Sequence, residues 1–561
     1  MIDLSAKPFC LDAESVAWVQ STLAAMTDEE KIGQLFIPIC YSSDPEFLQN
    51  VMLSHHIGGI MYRPGPGKQR QADHRWLQEH SKIPLLIAAN LEAGGSGTAT
   101  DGTAYGSQMQ VAATGDAENA YRLGKIAAAE GKACGCNWAL APVVDVDLNW
   151  RNPITNVRTY GNDPDVVLKC GLAYKRGADE EGVAVAVKHF PGDGCDEVDQ
   201  HILTSVNDLS MEEWDSTYGI IYQGLIDDGA LTVMVGHIAQ TAYEKYFDPD
   251  GPRQLIPASL SHALVTKLLR EKLGFNGLVV TDSTCMVGFS SAMPREQALP
   301  HSIECGVDML LFNKDLDEDY RFLLSGYRNG LLSEARLNEA VTRILAAKAA
   351  LGLHKKRKSE LVPGPEALSV LGCETHRAAA RACADDSVTL VKDTQGLLPL
   401  DPKKTKRVLL EVLGDFPSNE RVKAFAAEKL RAEGFEVTIY EEEKPGKHDF
   451  SVTAFRERCD LVLYLGNVEN ASNKVTNRLR WHTFFGNGDN CPWFVKERPV
   501  LFASLGNPYH LIDVPMIQTY INCYANSNIV LEALVEKLMG RSPFKGKSPV
   551  DPFCGKKYLS Y

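Results

Sequence analysis

The chain has 561 residues, too many for one ordinary domain, with a net charge of −14 and 44% hydrophobic and 23% charged residues. That composition is globular, and its acidity excludes the basic face of a nucleic-acid binder. No run reaches the roughly 20 apolar residues that span a bilayer, the first residues lack the features of a secretion signal, and fourteen cysteines without a CxxC pair read as reduced thiols of a cytoplasmic protein.

Along the first 350 residues, eight nearly continuous apolar runs alternate with helical stretches: 32–40, 58–62, 84–90, 137–145, 183–190, 231–238, 277–282 and 307–312. Runs apolar at every position fit parallel strands covered on both faces. Eight β/α units in about 300 residues predict a TIM-type (β/α)8 barrel over 1–353. A doubly wound sheet is the competing architecture. Residues 333–352 predict a helix with Ser333 as N-cap and Gly352 as its stop. HKKRKSELVPGPE opens a linker and connecting helix over 354–384. Strand runs at 387–392, 407–414, 460–466 and 499–506, with helices between, predict a smaller α/β sandwich domain over 385–561 with a mostly parallel sheet. No GxGxxG pattern supports a nucleotide there.

Polar residues stand where the barrel strands end: Asn90, Asp145, Lys188 with His189, His237 and Asp282. Barrel chemistry sits at that rim. Asp282 ends a buried run and reads either as a loop cap or as an ionised catalytic group. Asp199 and His201 are two apart, so in extended chain both side chains point the same way and the carboxylate can orient the imidazole; the alternative is a solvated polar loop. Gly192 and Gly194 would let that loop swing over a substrate. Lys188 and His189 suit sugar hydroxyls or a phosphate, with Arg158 as a further candidate; alternatively Lys188 pairs with Asp145. The sequence has no His-x-His and no histidine in the first strand, so a metal site would lack its core ligands.

These motifs resemble glycoside hydrolase family 3, in its β-N-acetylhexosaminidase branch. KHFPGDG (188–194) is similar to that branch's KHFPGHG, and DQH (199–201) to its Asp-x-His element. MTDEEKIGQLF (26–36), the stretch from LAPVVDVDLN to RNPITNVRTYGNDP (140–164), PASLS (257–261), LREKLGFNGLVVTDSTCM (269–286) and ECGVDMLL (304–311) follow in the family's order. SVTLVKDTQGLLPL (387–400) fits the form with an appended α/β domain.

The resemblance implies Asp282 as the nucleophile of a covalent glycosyl-enzyme, His201 as acid/base held by Asp199, and Arg158, Lys188 and His189 gripping the sugar. Most retaining glycosidases use two carboxylates instead. Asn90 and His237 join the expected substrate contacts from their places on the rim. Lys188 and Arg158 are expected to keep Asp282 ionised. Three positions depart from the pattern: Asn90 and Ser283 stand where Asp is usual, and Asp193 where the branch has a second histidine. The implied activity is a cofactor-independent, retaining exo-β-N-acetylhexosaminidase, releasing N-acetylglucosamine from chitooligosaccharide or peptidoglycan-derived fragments. The alternatives are a β-N-acetylglucosaminide phosphorylase and a non-catalytic sugar-binding protein. No nucleic-acid or membrane partner is expected, and the oligomeric state is left open.

Overall fold

The first apolar run is split by Pro38, which has no N–H to give a ladder, and its two halves close a ring. In the computed structural model, Phe36–Ile37 pairs with Met309–Leu311, while Ile39–Cys40 pairs with Gly59–Tyr62. We number this interrupted strand β1, followed by β2 (Gly59–Tyr62), β3 (Leu86–Ala89), β4 (Trp138–Ala139), β5 (Ala184–Phe190), β6 (Thr232–Val235), β7 (Leu278–Ser283) and β8 (Met309–Leu311). Neighbours in space are neighbours in sequence, and all pairs are parallel. The eight predicted runs therefore form the (β/α)8 barrel, and the doubly wound alternative falls for this unit. The structure describes residues 2–251, 255–414, 417–441, 451–468, 470–484, 487–488 and 490–561.

The barrel interior is packed. Trp138 is fully buried and donates from Nε1 to Thr232 Oγ1 at 2.8 Å, and that hydroxyl donates to the Val185 carbonyl at 2.7 Å. At the strand starts, Asp308 accepts from Arg270 at 2.7 Å, Arg336 at 2.6 Å and the Val279 N–H at 2.8 Å. These charged bonds offset the cost of burying the carboxylate. The helix Glu334–Ala350 has Ser333 as N-cap, its side chain accepting from Arg336 N–H, and Gly352 follows in the left-handed region at φ 66°.

The chain divides into two units. The first comprises Met1–Tyr105, Ala120–Asn152 and Asp163–Arg377; the second comprises Gly106–Asn119, Pro153–Asn162 and Ala378–Tyr561. Much of the segment read as a linker is strapped onto barrel helices. Gln71 donates to the Gly364 carbonyl, and Arg75 to those of Val362 and Pro363. The buried Glu130 accepts from Gly372 N–H at 3.1 Å and pairs with His376 Nδ1 at 2.7 Å.

The second unit is built on a six-stranded sheet: β9 (Thr389–Asp393), β10 (Arg407–Leu413), β11 (Glu436–Ile439), β12 (Leu461–Gly466), β13 (Val500–Ser504) and β14 (Thr519–Asn522), in the spatial order β9-β14-β13-β12-β10-β11. Only the edge pair β9–β14 is antiparallel. Apolar clusters cover it on both faces, around Leu410 and Leu463 on one and Tyr464 and Phe502 on the other. The two strands that no apolar run announced have physical reasons to be inconspicuous. β11 is an edge strand with Glu436 and Thr438 exposed, and β14 is buried but begins and ends in Thr519 and Asn522.

Candidate active site

The C-terminal rim of the barrel gathers the predicted residues of the first unit. After β4 the chain continues in extended form, with Val143 bridged to Lys188 and Val144 N–H donating to the Lys188 carbonyl at 2.7 Å. This brings Asp145 beside the end of β5. Asp145 Oδ2 accepts from His189 Nδ1 at 2.7 Å, and Oδ1 accepts the His189 N–H at 3.1 Å. With its proton on Nδ1, His189 turns Nε2 toward Asp282 Oδ2, 3.7 Å away. Lys188 Nζ pairs with Glu92 at 2.6 Å, in the loop after β3. The suggested Lys188–Asp145 pair is thus replaced: Asp145 belongs to the imidazole and Glu92 to the lysine.

Asp282 lies near the end of β7. Its Oδ1 accepts the Ser283 N–H at 2.7 Å, and its side chain keeps 15% of its surface open to the rim. Burial alone would raise its pKa. The positive charges of His189, His237, His201 and Lys188, in that order, outweigh burial and bring the carboxyl down to about 2. His237, whose own pKa burial lowers to about 4, is charged at the pH where Asp282 takes up its proton, and the imidazoles act more strongly than the expected lysine.

His201 Nδ1 donates to Asp199 Oδ1 at 2.6 Å, and the same oxygen accepts the His201 N–H at 2.9 Å. Asp199 is buried while the imidazole is partly exposed, so a buried carboxylate backs a ring that solvent can reach. The loop is not loose. Val287 N–H donates to the His201 carbonyl at 3.1 Å and Gly288 N–H to that of Gln200 at 3.2 Å, which ties it to the segment after Asp282.

The two glycines before this loop serve packing rather than swinging. Gly192 has φ 115° and Gly194 φ 110°. A Cβ on Gly192 would lie 2.1 Å from the Tyr218 ring, and one on Gly194 1.9 Å from the Val146 carbonyl oxygen. Gly194→Ala therefore costs about 1–3 kcal/mol in backbone strain before the clash is relieved. A lowered urea midpoint, with cleavage reduced in the protein that remains folded, is the expected result; an unchanged midpoint would refute this packing role.

The remaining candidates are placed as follows. His237 is fully buried; Nε2 donates to the Ser283 carbonyl at 2.9 Å and Nδ1 accepts from Ser259 Oγ at 2.8 Å. Burial lowers its pKa to about 4, so near neutral pH it is an uncharged strut under the Asp282 loop. Asn90 follows β3 and is exposed. Arg158 closes the short turn Asn156–Arg158, part of the second unit, and its role rests on the resemblance. Glu92, Asp193 and Gln200 were not picked out as site residues. Glu92 stands two residues after Asn90 in the same loop, and Gln200 lies between the dyad members; the chain there is a turn rather than the expected extended segment, with Ile202 and Leu203 N–H donating to the Asp199 carbonyl at 2.9 and 3.1 Å. Among the described residues, no group of three or more His, Cys, Asp or Glu is placed to hold a metal ion, and no helix is long and apolar enough to cross a membrane.

Residues 27–347 match the family described as Glycosyl hydrolase family 3 N terminal domain. A Beta-N-acetylglucosaminidase/beta-glucosidase of Cellulomonas fimi is 46% identical over 566 residues, covering 99% of each chain. The solved structure of Beta-glucoside phosphorylase BglX is 44% identical with a TM-score of 0.93, again over 99% of each chain. A family 3 β-N-acetylglucosaminidase from Paenibacillus sp. str. FPU-7 shares the fold, with a TM-score of 0.80 at 24% identity, over 94% of this chain and 99% of the other.

Proposed function

The chain belongs to glycoside hydrolase family 3, and from that premise we propose that it is a retaining exo-β-glycosidase of terminal N-acetylglucosamine, accepting glucose as a second sugar. The observation that carries this reading is the pairing on one rim of an ionised Asp282 with the His201–Asp199 dyad at 2.6 Å. Asp282 attacks the anomeric carbon while His201 protonates the departing oxygen. The imidazole, now neutral, then takes a proton from the acceptor that releases the sugar. Lys188, held by Glu92, donates to a sugar hydroxyl beside the nucleophile, His189, held by Asp145, offers Nε2 to another, and Asn90 contacts distal hydroxyls. The family resemblance implies a sugar-binding role for Arg158 as well. The glucose activity rests on the dual name of the Cellulomonas fimi relative. The natural substrates would be chitooligosaccharides or peptidoglycan-derived fragments. Fourteen cysteines outside any disulfide fit a reducing, cytoplasmic setting.

A second reading concerns the acceptor. Once Asp282 is esterified it is neutral, and Asp199 is buried behind its imidazole. No carboxylate acid/base then repels an incoming phosphate dianion, as one would in a two-carboxylate site. Together with the name of the BglX neighbour, this favours phosphate as an acceptor besides water.

Both readings are tested with aryl β-N-acetylglucosaminide and aryl β-glucoside, first in phosphate-free buffer and then with phosphate. Cleavage of the first sugar in both buffers supports the glycosidase. Faster cleavage with a β-configured sugar 1-phosphate as product supports phosphorolysis. No cleavage of either substrate in either buffer would refute the proposal.

A further inference from the structure

We propose that Asp193 is a positioning residue for the acid/base: through Gln200 it fixes the loop that presents His201 to the leaving group. The inference rests on the reading of His201 as acid/base.

Asp193 is 2% and Gln200 1% exposed. Asp193 Oδ1 accepts from Gly194 N–H at 2.8 Å, Asn152 Nδ2 at 3.2 Å and Ser205 Oγ at 3.4 Å, and Oδ2 accepts from Gln200 Nε2 at 3.4 Å. Asn152 also donates to the Asp196 carbonyl at 3.0 Å. One buried carboxylate thus gathers the start, the middle and the end of the segment 194–205, in which the dyad lies. Its own N–H donates to Asp145 Oδ1 at 2.8 Å, which ties the loop anchor to the carboxylate that orients His189.

The orientation of Gln200 is forced. Its Oε1 accepts the His237 backbone N–H at 2.7 Å, a donor that cannot be reversed, so its NH2 faces Asp193. Gln200 therefore spans from Asp193 to the end of β6. Its neighbours Asp199 and His201 are joined to each other, Asp199 Oδ1 accepting both the Nδ1–H and the backbone N–H of His201, in a turn closed by the Ile202 and Leu203 N–H groups on the Asp199 carbonyl. Burial and the Asp145 carboxylate both push the Asp193 carboxyl upward, so a turn-filling side chain of this size would be better neutral. A carboxylate is useful here because it accepts on both oxygens.

Asp193→Asn separates these functions. The amide oxygen can keep the three donors on Oδ1, but its NH2 then meets the NH2 of Gln200, donor against donor, and Gln200 cannot turn over. Gln200→Met removes the same latch from the other side at nearly constant volume. The informative readout is the dependence on leaving group, because acid assistance matters for a methyl glycoside and little for a 2,4-dinitrophenyl glycoside. Each variant is expected to lose about 10–100-fold in kcat/KM on the methyl β-glycoside and less than about 3-fold on the dinitrophenyl one.

Equal losses on both substrates, or no loss on either, would overturn the proposal by making Asp193 structural. His201→Ala is the reference. If it too shows no leaving-group dependence, the acid/base assignment itself fails and this inference falls with it. If it shows dependence while the two variants do not, only the role of Asp193 is overturned. Should one variant fail to fold, the other decides.

Discussion

Asp282→Asn is expected to lower kcat/KM on an aryl β-N-acetylglucosaminide by on the order of 10⁴-fold or more, about 5 kcal/mol of transition-state stabilisation, while the protein stays folded. The amide has the shape of the carboxylate but can neither attack the anomeric carbon nor leave as a stable anion. Burial opposes the charge on Asp282, and its cationic neighbours nevertheless bring its pKa to about 2. The nucleophile is therefore ionised at every pH above about 4. An acid limb in the wild-type profile between about pH 4 and 7 would then come from another group. The linkage has the same sign. A carboxylate depressed in the folded state contributes stability above its unfolded pKa, and loses it as pH falls through about 2. In Asp282→Ala, azide can occupy the vacated space and attack from the nucleophile's side, so the recovered product should be an α-glycosyl azide. An Asp282→Asn protein retaining more than about a tenth of wild-type activity would remove Asp282 from the mechanism.

Much of this architecture was legible in the sequence because parallel strands buried on both faces are apolar at every position. The eight runs of the barrel and the strands β10, β12 and β13 of the second sheet carry that signature, whereas β9, a partly buried antiparallel edge strand, was legible only from its short SVTLV run. Helix Glu334–Ala350 was legible for a different reason, since its Ser cap and Gly stop are local chemistry. What stayed hidden depends on contacts distant in sequence. The strand β14 ends in polar Thr519 and Asn522, which are satisfied within the fold: Thr519 Oγ1 donates to Asp393 and Asn522 Nδ2 to the Pro508 carbonyl. No local pattern announces them.

The site follows the same division. Asp282 could be read from its strand end and the Asp199–His201 pair from residue type and closeness, although a turn and not the expected extended chain brings the two side chains together. The partners that set their chemistry could not. Lys188 was offered Asp145 because both are polar at adjacent strand ends, but the extended chain after β4 places Asp145 under His189 and leaves the lysine to Glu92. Gly192 and Gly194 suggested a hinge by residue type. Their surroundings, a tyrosine ring 2.1 Å and a carbonyl oxygen 1.9 Å from where a Cβ would lie, show glycine used for close approach. A glycine's φ and neighbours, rather than its identity, decide between the two.

The second large effect is expected at His201, and it should split by substrate and by step. In His201→Ala the glycosylation of Asp282 by a 2,4-dinitrophenyl glycoside proceeds, since that leaving group departs without a proton. The methyl glycoside, which needs the proton, should lose about 10²–10⁴-fold. Deglycosylation lacks its base, so the variant should release one equivalent of dinitrophenol in a burst and then stall as a glycosyl-enzyme. An anionic nucleophile needs no base, and azide should restore turnover. Here it attacks the covalent intermediate from the face the aglycone left, so the product is the β-glycosyl azide, opposite in configuration to that from Asp282→Ala. Asp199 adds a check on geometry, because its Oδ1 holds both the ring and the backbone N–H of His201. The two azide products together place each group on its own face of the sugar. Equal losses on both leaving groups, or an α-azide from His201→Ala, would take the acid/base role away from this dyad.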